Sequence, residues 1–294
     1  VYADNCATAR PADVAAQALK TASDANEITY LESIVDAATV YTANYIDTTY
    51  SASDTAAYTM RNSILSTENG TANASVYTGS TYCINESNFL TYKAKLGSLP
   101  EGSKILFQRG GTYRVGSIAI SHNNLYFGAY GSGDKPVLLG SERNYANSTW
   151  AKLTGNVWYV NNISTLSDND AGIVIFDDGK KAGTKVSALA NVKNDGDFWY
   201  DQSNDRLYLA SSANPATLWG SIEIGMNQHI FDINGKSGIT IDNFNLRYTG
   251  GHGISLIGVS NIAVTNCEIA YIGGSYMTHV DSNSTTRYGN GVEI

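Results

Sequence analysis

Residues 238–246 read GITIDNFNL and residues 261–269 read NIAVTNCEI, and the two stretches share a pattern of apolar positions. When they are aligned so that position 262 matches position 239, apolar side chains recur at the same places. A repeated inward-facing set with no helix between the copies is typical of a parallel solenoid. The coincident pairs are Ile239 with Ile262, Ile241 with Val264, Phe244 with Cys267, and Leu246 with Ile269.

A further set of short segments supplies another strand of each coil. Residues 230–233 read IFDI, residues 253–256 read GISL and residues 291–294 read GVEI, with a longer loop before the last of them. Asn243 and Asn266 hold matching positions beside a turn, where stacked amides can hydrogen-bond from coil to coil. Parallel crossovers in proteins are strongly right-handed. The predicted fold class is therefore mainly β, a right-handed parallel β-helix.

The domain organisation follows from a change in the sequence pattern near residue 82. Residues 1–81 are predicted to be an N-terminal α-helical segment, because apolar residues recur at helical spacing between residues 11 and 66. From residue 82 to residue 294, short apolar strands alternate with Gly, Asn, Ser and Asp, which predicts the β-helix. The helical segment could cap the end of the solenoid or hold neighbouring molecules together.

An antiparallel β insertion is predicted within the solenoid, at about residues 150–225. The apolar run 172–176 is followed by the turn DDGK, and a second hairpin is predicted from residues 198–200 and 206–209. The aromatic rings of this region could stack on sugars or fill a small core, and the sequence leaves both interpretations open. The tryptophans are Trp150, Trp158, Trp199 and Trp219.

Composition and charge limit the kinds of molecule that the protein could bind. Hydrophobic residues make up 43% of the chain and charged residues only 16%, which indicates a folded protein, since disorder requires low hydrophobicity and high net charge. The net charge of −8 and the scattered positions of the 19 Lys and Arg residues argue against nucleic acid. No apolar run is long enough to predict a membrane span. A neutral or weakly charged partner fits better.

Several features together favour a secreted or cell-surface protein. Lys is scarce, whereas Tyr, Asn and Thr are abundant, and we expect an export signal to have been removed from this sequence or left out of it. Sequon-like triplets add little, because a chain rich in Asn, Ser and Thr produces them by chance. These triplets begin at Asn69, Asn73, Asn85, Asn147, Asn162 and Asn283.

Three cysteines cannot all pair within one chain. Cys6 and Cys83 could form a disulfide between the helical segment and the next domain, which loop-closure entropy predicts to stabilise the fold by about 4 kcal/mol. Cys267 holds an apolar position of the repeat and is interpreted as a buried thiol. Three reduced cysteines remain the alternative.

The sequence stops at Ile294, within an expected strand and without a polar capping segment. An open coil would expose backbone donors and apolar side chains. We therefore expect further coils to follow in a longer protein, or another element to cover this end.

Several motifs point to a known family. GSKILFQRGGTY at residues 102–113 and FGAYGSGDKPV at residues 127–137 look like the opening of secreted right-handed β-helix proteins of the pectate-lyase-like superfamily. GDFWYD at residues 196–201, GGHGI at residues 250–254 and RYGNGVEI at residues 287–294 are similar to members associated with glycoside hydrolysis. The superfamily also includes polysaccharide lyases, esterases, phage tailspikes and adhesins, so the fold leaves the reaction open.

The resemblance covers about residues 82–294 and implies a glycoside hydrolase acting on a polysaccharide. Such catalysis needs two carboxyl groups, one on either side of a sugar. The predicted catalytic residues are Glu293, Glu268 and His252. Glu268 and Glu293 alternate with inward-facing neighbours and should point outward, where a solvated carboxylate is the alternative. His252 lies between two glycines, and a histidine that merely caps the turn is its alternative.

Four further residues are predicted to bind substrate through sugar hydroxyls or carboxylates: Tyr248, His279, Asp281 and Arg287. No cofactor is required by this interpretation. Calcium is a weak option, because the acidic residues of the insertion show no regular ligand spacing. Those acidic residues are Asp168, Asp170, Asp177 and Asp178.

Two other functions stay open. A polysaccharide lyase would use a Lys, Arg, His or Tyr base beside a cation that neutralises an acid. A structural, adhesive or filament-forming surface protein would use the β-helix as a scaffold, and would self-associate through the helical segment or the coil ends.

Overall fold

The structure is a computed structural model that describes residues 77–163, 170–276 and 287–294. Its strands are, in chain order, β1 (Thr81–Ile84), β2 (Lys104–Gln108), β3 (Thr112–Arg114), β4 (Ile118–Ile120), β5 (Tyr126–Tyr130), β6 (Val137–Leu139), β7 (Ala151–Thr154), β8 (Val157–Asn161), β9 (Ala171–Phe176), β10 (Lys181–Ala182), β11 (Thr184–Lys185), β12 (Asp197–Asp201), β13 (Arg206–Ala210), β14 (Ile222–Met226), β15 (Phe231–Asn234), β16 (Ser237–Asp242), β17 (Asn245–Thr249), β18 (Ile254–Ile257), β19 (Ser260–Thr265), β20 (Glu268–Ile272), β21 (Ser275–Tyr276), β22 (Arg287–Tyr288) and β23 (Val292–Glu293).

Helices are short in the described part of the chain. The α-helices are α1 (Phe89–Tyr92) and α2 (Pro215–Leu218), and α2 begins with a proline whose missing N–H is not needed there. The 3₁₀ helices are Lys93–Ser98, Tyr145–Asn147, Asp177–Gly179, Leu189–Asn191 and Gln202–Asn204. None of the helices in these described ranges is long and apolar enough to cross a membrane.

Three parallel sheets form the main body. Their strand orders are β1-β2-β5-β16-β19, β3-β6-β17-β20 and β4-β15-β18-β23. The chain visits these three sheets in one fixed cyclic order, as β4, β5 and β6 and again as β15, β16 and β17. The prediction of a mainly β chain with parallel strands is confirmed.

The offset predicted from the sequence repeat is the observed strand register. Ile239 pairs with Ile262 and Ile241 with Val264 in one sheet, and Leu246 pairs with Ile269 in the next. The same offset relates Phe231 to Ile254 in the third sheet. One face of each strand is therefore turned to the core at every repeat, and a slip of one position would turn that face toward solvent.

The main core lies between the three sheets. It contains Phe107, Phe127, Phe231 and Phe244, all fully buried, with ring centroids of neighbouring pairs 5.2–5.6 Å apart in edge-to-face geometry. Such aromatic pairs stabilise a core beyond the area they bury. Cys267 packs against this core only partly buried, and it is a free thiol.

The antiparallel insertion interrupts the parallel sheets between β6 and β15. β9 pairs antiparallel with β10 across the turn that contains Asp177–Gly179, and β12 pairs antiparallel with β13, so both predicted hairpins are confirmed. β4 is the direct neighbour of β15, with Ile118 opposite Phe231, although the whole insertion separates these strands in the sequence. The chain therefore leaves the parallel sheets after one repeat and re-enters them at the next. The two repeats remain in register although the insertion separates them in the sequence.

The tryptophans belong mainly to packed clusters of the insertion. Trp150 is 5% exposed, and Trp158 and Trp219 pack partly buried against the same core. Trp199 stacks on Tyr208 with ring centroids 5.5 Å apart. These contacts favour the core interpretation over sugar stacking.

The predicted ladder of asparagine amides takes a different form. Asn243 and Asn266 share a left-handed backbone with φ of 68° and 50°, which Asn tolerates better than most residues. The bond between neighbouring repeats, however, runs from Asn266 Nδ2 to Asp242 Oδ1 at 2.9 Å. A carboxylate accepts this bond together with one from the Thr265 hydroxyl at 2.6 Å, so one side chain satisfies two donors of the next repeat.

Several predictions fall outside the described residues. They concern the N-terminal helices between residues 11 and 66, and the side chains of Cys6, Asp168, His279 and Asp281. Cys83 is buried in β1 and disulfide-bonded, but its pairing with Cys6 stays a prediction because of that limit. The domain boundaries and the chain-end expectation also stay predictions.

Candidate functional site

One sheet carries a cluster of polar side chains on its outer side. In the sheet of β15, β18 and β23, Asp232 is in register with Ser255, and Ser255 is in register with Glu293. The flanking residues Phe231 and Ile233 are fully buried, so Asp232 points away from the core. The three side chains form one row across three adjacent strands.

A second row lies just upstream of the first along each strand. It contains His229, His252 and Asn290, each three positions before its counterpart in the first row. We call these two rows, His229, Asp232, His252, Ser255, Asn290 and Glu293, the polar face.

The two histidines are stacked and hydrogen-bonded in a way that fixes their protonation. Their ring centroids are 4.9 Å apart with an angle of 25° between the planes. The backbone N–H of His252 donates to His229 Nδ1 at 2.9 Å, and that of Asn290 donates to His252 Nδ1 at 3.0 Å. A nitrogen that accepts a hydrogen bond carries no proton, so each neutral ring has its hydrogen on Nε2.

Burial also favours the neutral form of both histidines. Desolvation lowers the pKa of His229, and the neighbouring His252 lowers it further, against the opposing charge of Asp232. Desolvation also lowers the pKa of His252, against the opposing charge of Glu293. Each histidine thus lies close enough to one carboxylate of the polar face to feel its charge, while remaining neutral near pH 7.

Glu293 and its neighbours complete the polar face. The Asn290 side-chain amide donates to Glu293 Oε2. Tyr288 packs edge-on against His252 at 5.1 Å between centroids, and its hydroxyl is hydrogen-bonded to Asn227 Oδ1. In contrast, no hydrogen bond or ion pair within the described residues holds the Asp232 carboxylate. The Glu293 carboxylate is therefore positioned by an amide, whereas the half-buried Asp232 carboxylate is placed by its strand alone.

A buried ion pair flanks the polar face. Lys185 of β11 contacts Asp170, which precedes β9, and desolvation lowers the pKa of Lys185 to about 8 against the charge of Asp170. Asp170 Oδ2 also accepts the backbone N–H of Tyr276 at 2.8 Å. Arg287 donates to the Lys185 carbonyl at 2.7 Å. The insertion is thereby connected to β21 and β22, which precede Glu293.

Glu268 is separated from the other predicted catalytic residues. It belongs to β20, in a different sheet from Glu293 and His252, and its side chain is 60% exposed. The Lys135 ammonium lies 2.9 Å from its carboxylate, and the hydrogen bond from this group lowers the pKa of Glu268. The structure does not bring Glu268 together with Glu293, whereas it does bring Glu293 and His252 together.

The predicted binding residues that can be located do not form one group. Tyr248 is 3% exposed and packs against Ile175 of the insertion, where burial raises its pKa. Its hydroxyl therefore remains protonated, and its ring contributes to the contact between insertion and sheet. Arg287 is exposed and lies in the hairpin next to the polar face.

Protein groups engage the three described acidic residues that the sequence offered as calcium ligands, Asp170, Asp177 and Asp178. Asp177 Oδ1 accepts the backbone N–H groups of Gly220 and Ser221 at 2.8 and 3.2 Å, and the carboxylate of Asp178 is bonded to the Ser221 hydroxyl. Across the described ranges, no cluster of three His, Cys, Asp or Glu side chains has the arrangement of a metal site.

Sequence reasoning missed five residues of this region: Asp232, His229, Ser255 and Asn290 of the polar face, and Lys185 beside it. A signal existed for the first two, because His229 precedes His252, and Asp232 precedes Ser255, by the same offset that defines the repeat. Lys185 gave no signal, since no repeat or turn motif relates it to its partner Asp170.

Comparisons with known proteins do not assign the chain to a family. No family model matches the chain, and no curated protein matches it. Among solved structures, a GH136 lacto-N-biosidase from Eubacterium ramulus matches in its selenomethionine form with a TM-score of 0.28 and 12% identity. The native form matches with a TM-score of 0.25 and 11% identity. Each match covers 81% of this chain but 33% of the biosidase, so this chain spans about a third of that enzyme's length.

Proposed function

We propose that this protein is a secreted carbohydrate-active enzyme, a glycoside hydrolase that cleaves a polysaccharide on the polar face. The observation that carries the proposal is the row of Asp232, Ser255 and Glu293, in which two carboxylates flank a small hydroxyl side chain. A glycosidase needs two carboxyl groups with room for a sugar between them. Sugar hydroxyls would find hydrogen-bond partners in the histidines and amides on the same face.

The scaffold in this proposal is a right-handed parallel β-helix. The cyclic order of strands through three parallel sheets, and the offset that all three sheets share, support it. In such a fold, outward side chains of successive coils form rows across the strands, which suits an extended polymer. Measurement of the overall dimensions of the protein by small-angle X-ray scattering would test it, since a solenoid predicts an elongated rod and a sandwich does not.

The separation of the two carboxylates favours an inverting mechanism. Asp232 and Glu293 lie two strands apart, and adjacent strands are about 4.8 Å apart, so their backbones are separated by about 10 Å. Inverting enzymes hold their carboxyl groups about 6.5–9.5 Å apart to leave room for a water, and retaining enzymes about 5 Å.

The two carboxylates have different surroundings, and this suggests their roles. Glu293 has one oxygen fixed by the Asn290 amide, and its other oxygen would accept a proton from the attacking water. Asp232, whose carboxylate accepts no hydrogen bond from the described residues, would, in its protonated form, donate its proton to the leaving glycosidic oxygen. The ring of His252, with its hydrogen on Nε2, would donate to a sugar hydroxyl rather than transfer a proton.

The experiment is a screen of the purified chain against plant and algal polysaccharides, with assays for reducing ends and for unsaturated products run in parallel. Hydrolysis predicts reducing ends without unsaturated products. The variants D232N and E293Q should each lower kcat by about 10²–10⁴-fold, the usual contribution of a general acid or base. E101Q removes a carboxylate elsewhere on the surface and serves as the matched control.

Other outcomes would replace the proposal. Unsaturated products would indicate a lyase instead. Loss of activity in E268Q, with D232N and E293Q unaffected, would move the active site to the sheet of β20. No product from any substrate, also for a longer version of the protein, would favour the structural or adhesive alternative. Secretion is tested separately, by locating the protein in the culture fluid, on the cell surface or inside the cells of its source.

A further inference from the structure

A polar cleft lies at the junction between the insertion and the parallel sheets, on β7, β8 and the 3₁₀ helix Tyr145–Asn147. Its volume is about 820 Å³, within the range of small-molecule binding sites. Arg114 and Arg143 line it, and the other described residues of its lining are uncharged. The cleft shares no lining residue with the polar face.

The two arginines differ in how their charge is balanced. Arg114 donates to both carboxylate oxygens of Glu223 at 2.7 Å each, and Glu223 is only 3% exposed. This pair is neutral overall. Arg143 is exposed and forms no ion pair with any residue in the described ranges. Within that part of the chain, the cleft therefore carries one positive charge that no ion pair neutralises.

The guanidinium of Arg143 is held in place by an aromatic ring and a carbonyl, neither of which neutralises its charge. Its carbon lies 4.8 Å from the centroid of the Tyr145 ring, and Nη2 donates to the carbonyl of Asn162. The Tyr145 ring is fully buried and its hydroxyl donates to the Ile163 carbonyl at 3.0 Å. A guanidinium has five N–H donors, so a planar group with two oxygens can still be bound by the remaining ones.

The neutral lining suits sugar hydroxyls. The amide of Asn147 and the hydroxyls of Ser148 and Thr149 line the same cleft beside Arg143, and Asn147 and Thr149 are exposed. Amides and hydroxyls both donate and accept hydrogen bonds, as sugar hydroxyls do. Among the residues that the structure describes, no carboxylate lines the cleft to repel an anion.

We propose that this cleft is a second carbohydrate site, separate from the polar face, that binds a sugar unit bearing a carboxylate, with Arg143 as the residue that recognises the acid. The carboxylate would meet the guanidinium through paired hydrogen bonds, and the ring hydroxyls would contact the amide and hydroxyl lining. The site binds and does not react, so it is independent of the reaction proposed for Asp232 and Glu293.

The test compares two ligands with the same sugar backbone: a tetragalacturonate, whose carboxylates are charged, and its methyl ester, in which each carboxyl group is neutral and carries a methyl group. Isothermal titration calorimetry on the full chain should show binding of the acid and at least 10-fold weaker binding of the ester. R143Q should weaken binding of the acid at least 10-fold. R109Q is the matched control, because Arg109 also bonds to one backbone carbonyl but lies outside the cleft, and it should change binding less than twofold.

A steric variant keeps the test valid if R143Q disturbs the fold. T149W adds a large ring at an exposed position of the cleft and should abolish binding, while thermal unfolding reports whether each variant is folded. The double variant D232N/E293Q should bind as the unaltered chain does, even if the protein proves to have no hydrolase activity.

Four results with these ligands and variants would overturn the proposal, and a fifth comes from a sulfated ligand. They are equal binding of the ester, equal weakening by R109Q and R143Q, binding unaffected by T149W, and loss of binding in D232N/E293Q, which would place the ligand on the polar face. A sulfated oligosaccharide that binds while the uronate does not would also overturn it, since tetrahedral rather than planar oxyanions would then be selected.

Discussion

Asp170 and Lys185 form an ion pair whose side chains are only 12% and 2% exposed. Lys185 Nζ also lies 3.3 Å from the Gly274 carbonyl oxygen and 4.0 Å from the centroid of the Tyr276 ring. Asp170 lies next to β9 and Lys185 in β11, whereas Gly274 and Tyr276 belong to the segment that leaves β20. A buried charged contact therefore connects the insertion to the segment beside the polar face.

Removal of either partner of this ion pair should strongly destabilise the protein. K185M leaves the Asp170 carboxylate buried without its cation, and D170N leaves the ammonium buried without its anion, so each should lower the free energy of unfolding by about 3–5 kcal/mol. The double variant D170N/K185M should lose much less than the sum, because neither charge remains. Urea unfolding of all four proteins measures this coupling, and additive losses would contradict it.

The stacked histidines should make stability depend on pH. The native pKa values of His229 and His252 are lowered, so below the unfolded pKa of about 6.5 the unfolded chain binds more protons than the native one. The stability that the neutral histidines permit is therefore fully present above about pH 6.5, and it decreases as the pH falls below this value. Unfolding curves at several pH values should show a smaller acid-induced loss for H229Q than for the unaltered chain. H122Q, at an exposed histidine, should leave the slope unchanged.

Gly172 should tolerate no side chain. A Cβ there would lie 2.6 Å from Gly250 Cα and 2.7 Å from the Gly273 oxygen, both backbone atoms that cannot rotate away. G172A should destabilise the protein by about 1–3 kcal/mol because strand β9 would have to move from the sheet. G220A is the control, since the nearest atom to its Cβ is 3.4 Å away. Equal melting temperatures of G172A and G220A would contradict the close contact between Gly172 and Gly250.

The ion pair of Lys135 and Glu268 should contribute little. The Glu268 side chain is 60% exposed, and water and salt screen the attraction between exposed charges. K135M and E268Q should each leave the urea midpoint of unfolding nearly unchanged, with a smaller effect still at high salt. A large drop of the midpoint in either variant would contradict this expectation.

The register of the parallel strands and the two hairpins could be predicted from the sequence alone. Ile239 and Ile262 revealed the register because an apolar side chain that must face the core in every repeat recurs at a constant offset. The turn after Phe176 revealed the first hairpin because its chemistry is local. Such features depend on neighbours along the chain or on a strict period, and both can be read directly.

Several of the contacts between polar side chains could not be predicted from the sequence, because they form between segments that no pattern relates. Glu268 and Glu293 look equivalent in the sequence, since each alternates with apolar residues, yet they belong to different sheets. Asp170 and Lys185 meet because the insertion folds back on itself beside the polar face, and no periodicity encodes that contact. The physical reason is that burial of apolar groups imposes a repeating pattern on the sequence, whereas a charged contact needs only two residues, which the chain can supply from any distance.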